Sequence, residues 1–376
     1  MLKDKSLGAD FLQLEKESGN TCLTIIIPTY YKAGERSANA RLIEDGIGKA
    51  KRLVEYKCPA VEREALLNSL DSLAASIDLV HAAEGIGLYV SKNVRFSTLF
   101  HFPVEEKISV EPEFEVRDLL YKKSTESSYY ALMLAENGAK LFKGRGRELS
   151  EIADKSWPES RRDNYEYAKP ARSHSYAGEA HVKSFEKDRS EVESNRLKTF
   201  FRHINTDLKT YLDDKSPLIV LAPVKEQSLF EEVSEHKHNI IGKINGNYAN
   251  ASLPALASLI LPFLAAHLEK QHQQLIKEFG ESIGGHRAVS GIQAVWEAVE
   301  EGNVFKLLVE KDFRCAGFLV KNDPHLYLRP PKKEHDIVSD AVDRLVLNVL
   351  RKNGQVHFVD NGMLKEYGRV ALVTRY

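Results

Sequence analysis

Apolar positions change period several times along the chain, and each change marks an element. Thr24, Ile25, Ile26 and Ile27 form a continuous run closed by Pro28. Such a run predicts a buried strand, stopped by a residue with no N–H to give. Two helices are predicted next. One carries Leu42, Ile43, Ile47, Ala50 and Val54, the other Leu66, Leu67, Leu70, Leu73, Ile77 and Val80, at spacings of three and four. Gly87 to Ser91 and Val94 to Phe100 flank Lys92 and Asn93 and predict a hairpin. The polar stretch from Glu111 to Ser128 reads as a boundary.

The pattern then restarts with strands over Tyr130 to Ala135 and Ala139 to Phe142, around Glu136, Asn137 and Gly138. Asn-Gly between apolar runs predicts a tight hairpin. From Gly144 to His181 large aliphatic residues are sparse, which predicts a long loop. A long helix follows, with Phe185, Val192, Leu197, Phe200, Phe201, Ile204 and Leu208 on one face. Strands are predicted over Leu218 to Leu221 and Ile240 to Ile244, with a helix from about Gln227 to Val233 between them.

The last third opens with a helix running to Phe279, kinked at Pro262 and broken at Gly284 and Gly285. A second helix, from Ala288 through Val299, stops at Gly302. Strands over Val304 to Val309 and near Gly317 to Val320, a Pro-rich loop, a helix through Val338 to Val349 and two closing strands complete the chain. The fold class is α/β, in three consecutive units: 1–125, 126–248 and 249–376.

A chain of 376 residues exceeds what one core usually supports, in keeping with several domains. A net charge of −1 excludes a bulk nucleic-acid coat, so any RNA contact must come from a local patch. Cys22, Cys58 and Cys315 are too few and too far apart for a disulfide framework or a zinc site, which points to a reducing cytoplasm. Met1 to Asp10 lacks the apolar core of a secretory signal, and the apolar stretch Leu256 to Leu268 reads as too short to span a bilayer.

The local patch lies in the 144–181 loop. Lys143, Arg145, Arg147, Arg161, Arg162, Lys169 and Arg172 are interleaved with Trp157, Tyr165, Tyr167 and Tyr176. Cations supply phosphate contacts and aromatic rings supply stacking, the combination that suits folded or single-stranded RNA. Glu159, Asp163 and Glu166 dilute the patch, so a plain solvated loop stays open as a reading. Lys32 and Arg36, after Tyr30 and Tyr31, form a second basic-aromatic loop, which reads more simply as a solvated turn. His174, His181 and His203 show no ligand spacing, and no P-loop or nucleophile elbow is present.

Two passages carry a resemblance. One runs from Ala298 through Gly302 to Val309; the other is Gly354, Gln355, Val356, Val359 and Gly368 to Ala371, ending at Arg375 and Tyr376. With Ile27, Pro28 and Thr29 near the start, the chain resembles the archaeo-eukaryotic release factor and Pelota superfamily in its bacterial branch. The resemblance implies an RNase H-like middle domain, an L7Ae-like C-terminal domain, the ribosomal A site and its rRNA as target, and an elongation-factor GTPase as partner. From hydropathy and motifs no membrane and no cofactor are expected, and no DNA partner is expected either. Release factors of this superfamily cut peptide from tRNA with a Gly-Gly-Gln tip. The corresponding segment here is Ser173 to His181, with His174, Tyr176, the single glycine Gly178, Glu179 at the glutamine position, and His181. A carboxylate there opposes the charge that develops on the ester oxygen. The implied role is therefore a non-catalytic ribosome-binding factor in hibernation or rescue. The alternative is a peptidyl-tRNA or RNA hydrolase using the 176–181 loop. Gly284, Gly285 and His286 resemble the catalytic tip on paper but read as a helix stop.

Overall fold

The computed structural model describes residues 14, 17, 20–30, 34–77, 83–125, 127–135, 138–160 and 182–376, except the side chains of 36 and 182–190. By contacts the chain divides into two compact units. One joins Met1–Thr125 with Gln271–Tyr376; the other is Glu126–Lys270.

In the first unit, strand β1 (Cys22–Pro28) is covered on both faces. Leu23, Ile25 and Ile27 pack with Ile43, Ala50 and Val54 of helix α1 (Asn39–Lys57) and with Leu66 and Leu70 of α2 (Ala60–Ala75). Cys22 and Ile26 belong to a different core, with Tyr89, Phe100 and Phe114. A strand buried on both sides needs no polar alternation, which is why it reads as one apolar run. Strands β2 (Gly85–Val90), β3 (Arg95–Phe100) and β4 (Lys107–Glu111) complete an antiparallel sheet in the order β3-β2-β1-β4.

The polar stretch after Glu111 differs from the plain boundary expected of it. It holds helix α3 (Arg117–Thr125), and Phe114, Val116, Leu119 and Leu120 are buried. These side chains join Val295, Trp296, Leu345, Val346 and Phe358 from the C-terminal third in one hydrophobic core. Tyr121 meets Phe358 edge-on, with centroids 6.0 Å apart.

The second unit is built on strands β5 (Ser128–Ala135), β6 (Gly138–Arg145), β7 (Glu148–Glu151) and β8 (Glu159–Ser160). Helix α4 (Val182–Leu208), strand β9 (Leu218–Ala222), helix α5 (Val224–Val233) and strand β10 (Ile240–Asn245) follow. The strand order is β10-β9-β5-β6-β7, with β8 paired to β6. β5, β9 and β10 run parallel, and β6 is antiparallel to β5 and β7. One face carries Leu132, Leu141 and Val220 against Phe200, Phe201 and Ile204 of α4 and Phe230 of α5. The other carries Ala131, Met133 and Leu221 against Leu256 and Ile260 of helix α6 (Leu253–Gly284). The expected long loop is structured at its start: β7 and β8 lie within it, and Trp157 is 1% exposed in the core with Phe200 and Leu208. Trp157 is therefore a packing residue and offers no face to a base.

Helix α6 runs unbroken through Pro262 for 32 residues, longer than the apolar stretch alone suggested. By length and composition it is, among the described residues, the one helix able to cross a membrane. Its apolar positions are shared between cores, Leu256 and Ile260 in one, Leu275, Ile276 and Phe279 in another.

After Gly284 the chain enters strand β11 (Ala288–Ser290), where a helix had been expected to begin. Helix α7 (Ile292–Glu300), strand β12 (Lys306–Glu310) and strands β13 (Gly317–Val320), β14 (Leu326–Tyr327) and β15 (His335–Val338) come next. Helix α8 (Ala341–Arg351), β16 (Gln355–Val359) and β17 (Val370–Val373) end the chain. The main sheet has the order β11-β17-β12-β16, and a small sheet has the order β14-β13-β15. Leu307 and Val309 of β12 face α7 and α8, while Leu308 faces Phe279 of α6.

Candidate nucleic-acid interface

The structure places two of the predicted site residues together at the end of the β6-β7 hairpin. Arg145 pairs with Glu148 across the ladder, which leaves Gly146 and Arg147 as a two-residue turn. Gly146 has φ 56°. That left-handed value suits a glycine and matches the twist of a tight hairpin. Arg145 ends the strand and Arg147 sits in the turn, so both guanidinium groups leave the backbone within three residues.

A buried ring supports this tip. Tyr129 stands opposite Gly144 on β5 and is fully buried. A Cβ on Gly144 would overlap the Tyr129 ring. With only a hydrogen there, the ring slides under the strand and its hydroxyl donates a long bond, 3.4 Å, to the carbonyl of Gly146. Burial pushes the Tyr129 phenol up to about 12, so it remains a donor throughout the neutral range. Lys143, two positions before Arg145 and hence on the same strand face, is exposed, its Nζ 6.0 Å from the Tyr130 ring centroid.

The segment beyond β7 is also held. The Asp154 carboxylate accepts from the backbone N–H of Ser156 at 2.9 Å and of Trp157 at 3.1 Å, and it accepts from the hydroxyl of Tyr211. The Tyr211 bond is the main reason its pKa lies below the usual carboxylate range, and the same bond pushes Tyr211 up to about 12. Nothing in the sequence links Asp154 to Tyr211, or Tyr129 to Gly144. Only the alternation Gly144, Arg145, Gly146, Arg147 hints at a turn that displays cations.

Lys143, Arg145 and Arg147 on one hairpin end can grip phosphate oxygens, since guanidinium presents a planar fork of donors. Lys32, Arg161, Arg162, Lys169, Arg172, His174, Tyr176, Gly178, Glu179 and His181 lie outside the described residues. Arg36 belongs to a short 3-10 turn ahead of α1. Nearby Tyr30 is 45% exposed, and Asn39 holds its backbone by accepting from its N–H at 2.7 Å and donating to its carbonyl at 3.0 Å. Among the described residues no group of three His, Cys, Asp or Glu is placed to hold a metal.

Comparison with solved structures finds the archaeal translation termination factor aRF1, 14% identical over 99% of this chain and 98% of that one, with a TM-score of 0.25. Archaeoglobus fulgidus Pelota is 14% identical over 76% and 77%, with a TM-score of 0.38. Saccharomyces cerevisiae Dom34, described as a translation termination-like factor interacting with Hbs1, is 13% identical over 81% and 77%, with a TM-score of 0.40. No curated protein matches. Residues 128–303, which include the arginine hairpin, match Bacterial archaeo-eukaryotic release factor family 3, and through that span the chain is similar to the bacterial branch of the release factor and Pelota superfamily.

Proposed function

We propose that this chain is a cytoplasmic, non-catalytic translation factor that binds ribosomal RNA at the A site in hibernation or rescue, with an elongation-factor GTPase as partner. The observation that carries the reading is the arginine-bearing hairpin, held by Tyr129 and Gly144, inside the span that matches the family. The order β10-β9-β5-β6-β7 supports an RNase H-like middle domain, and the layering of α7 and α8, the β12 sheet and α6 supports an L7Ae-like C-terminal domain. In this reading residues 1–125, 126–248 and 249–376 act as three domains. Glu179 in place of a glutamine, beside the single glycine Gly178, supports the absence of peptidyl-tRNA cleavage.

Two assays test the reading. Purified protein is expected to co-sediment with ribosomes at low salt and to dissociate as salt rises, because phosphate contacts release counterions. It is expected to leave peptidyl-tRNA intact. Robust turnover by the wild type that disappears in Glu179→Ala would overturn the non-catalytic reading in favour of a hydrolase.

A further inference from the structure

The small sheet β14-β13-β15 has one face turned inward and one turned out. Gly317, Leu319, Leu326 and Val338 are either buried or packed against the main core. The intervening positions point the other way, because side chains alternate along a strand. Phe318 pairs directly with Tyr327 on one side and with Ile337 on the other, so the three side chains form a row across the outer face. Ile337 is 76% exposed, and Phe318 and Tyr327 are half-buried. His335 meets the Phe318 ring edge-on, with centroids 5.1 Å apart.

Cations border that row. The β14-β15 connection runs Leu328, Arg329, Pro330, Pro331, Lys332, Lys333, and its three cations are exposed. Lys321, just after β13, is exposed as well. None of these four cations forms an ion pair among the described residues. The flap also carries acids. Asp323 is occupied, accepting from Tyr327 Oη at 2.8 Å and lying 2.7 Å from His325 Nδ1. Asp336 pairs with Leu319 on the opposite pleat, and Glu334 lies between Lys333 and His335. Beyond β15 lies a cleft of about 210 Å³ lined by Glu111, Glu113 and Glu115. Each of these glutamates is ion-paired, Glu111 with Lys57, Glu113 with Arg351 and Glu115 with Lys107, whereas among the described residues the cations of the β14-β15 connection are not.

We infer that the outer face of the β13–β15 flap binds single-stranded RNA, with bases stacked on Tyr327 and Phe318 and phosphates along Arg329, Lys332 and Lys333. Rings flanked by cations recognise unpaired nucleotides because every base has a π-face and every phosphate a charge. This surface is independent of the Arg145–Arg147 tip and does not rest on the A-site reading.

The test is fluorescence anisotropy of the full chain with a labelled single-stranded RNA of roughly a dozen nucleotides, across a salt series. The triple variant Arg329→Glu, Lys332→Glu, Lys333→Glu lies in an exposed loop. It is expected to weaken binding by about tenfold or more, and to lower the salt slope by about 2, the share of three phosphates on a single strand. Phe318→Ala is expected to weaken binding by about fivefold or more while leaving the slope unchanged, and Phe318→Tyr to restore it. Arg145→Glu with Arg147→Glu serves as the comparison. If that double variant loses the RNA and the triple variant keeps it, the flap inference falls and the hairpin reading stands. Absence of binding by the wild type at low salt, or equal affinity for a duplex of the same sequence, also overturns it.

Discussion

Cations stand in two opposite settings in this chain. At the β6-β7 turn, Lys143 and Arg147 are exposed and Arg145 is half-buried, all on a strand end that buried Tyr129 supports from beneath. At Arg117 the guanidinium is 3% exposed. It donates to Asp340 Oδ2 at 2.5 Å, and its backbone N–H donates to Asp343 Oδ1 at 3.1 Å. Asp340 also accepts from the N–H of Val342 at 3.0 Å and caps α8, so one carboxylate ties the first residue of α3 to the start of α8. Outward cations can serve a partner at little structural cost, whereas a buried one serves the fold. Asp343 makes the point from the other side. Burial raises its pKa to about 7, with Glu115 and Asp340 adding to the rise and Lys107 and Arg117 opposing it. A shift of that size can mark a functional site. Here the group lies inside a structural charge cluster and accepts a backbone bond.

The contrast can be broken at the buried end first. Asp340→Ala strands the Arg117 guanidinium and removes the α8 cap, and should cost about 3–5 kcal/mol in urea unfolding. A loss below about 1 kcal/mol would mean that the pair is no anchor. The titration of Asp343 comes next. In the folded chain it holds its proton up to about pH 7, whereas unfolded it loses it near 3.8. The folded state therefore binds more protons across that window, and stability falls as pH rises through it. From about pH 5 to about pH 8 this group should take away about 2–3 kcal/mol, and Asp343→Asn should flatten the curve. An unchanged pH profile in the variant would refute the assignment.

At the exposed end the expected stability effects are smaller. Gly144→Ala forces a methyl into the Tyr129 ring and should cost roughly 1–3 kcal/mol. The companion change Tyr129→Leu should relieve part of that cost, since it removes the far edge of the ring. Additive losses in the two variants would mean that the ring and the glycine are not in contact. The smallest stability effect is expected for Arg145→Glu with Arg147→Glu, about 1 kcal/mol or less by urea unfolding.

The two regions were unequally legible in the sequence. Arg145 and Arg147 stand out by composition, and the hairpin before them follows from Asn137 and Gly138 between apolar runs. The Tyr129–Gly144 contact depends on cross-strand register, which local pattern does not report. β7 was hidden because Glu148, Leu149, Ser150 and Glu151 offer one apolar residue in four. The Arg117 region was hidden for another reason. Phe114, Val116 and Leu119 alternate with Glu113, Glu115, Arg117 and Asp118, so the stretch averages to polar. Its ion-pair partner Asp340 lies 223 residues away. Elements whose cores are local, such as β1 with α1 and α2, could be read directly. Those that depend on distant partners could not.

Co-sedimentation with ribosomes tests the central claim most directly. Wild type, Arg145→Glu with Arg147→Glu, and Asp340→Ala would be compared across a salt series at a temperature where all three are folded. The account predicts that wild type and Asp340→Ala pellet at low salt and release as salt rises, while the arginine double variant binds about tenfold or more weakly. A wild-type protein that stays in the supernatant at low salt, or a double variant that pellets as well as the wild type, would contradict it.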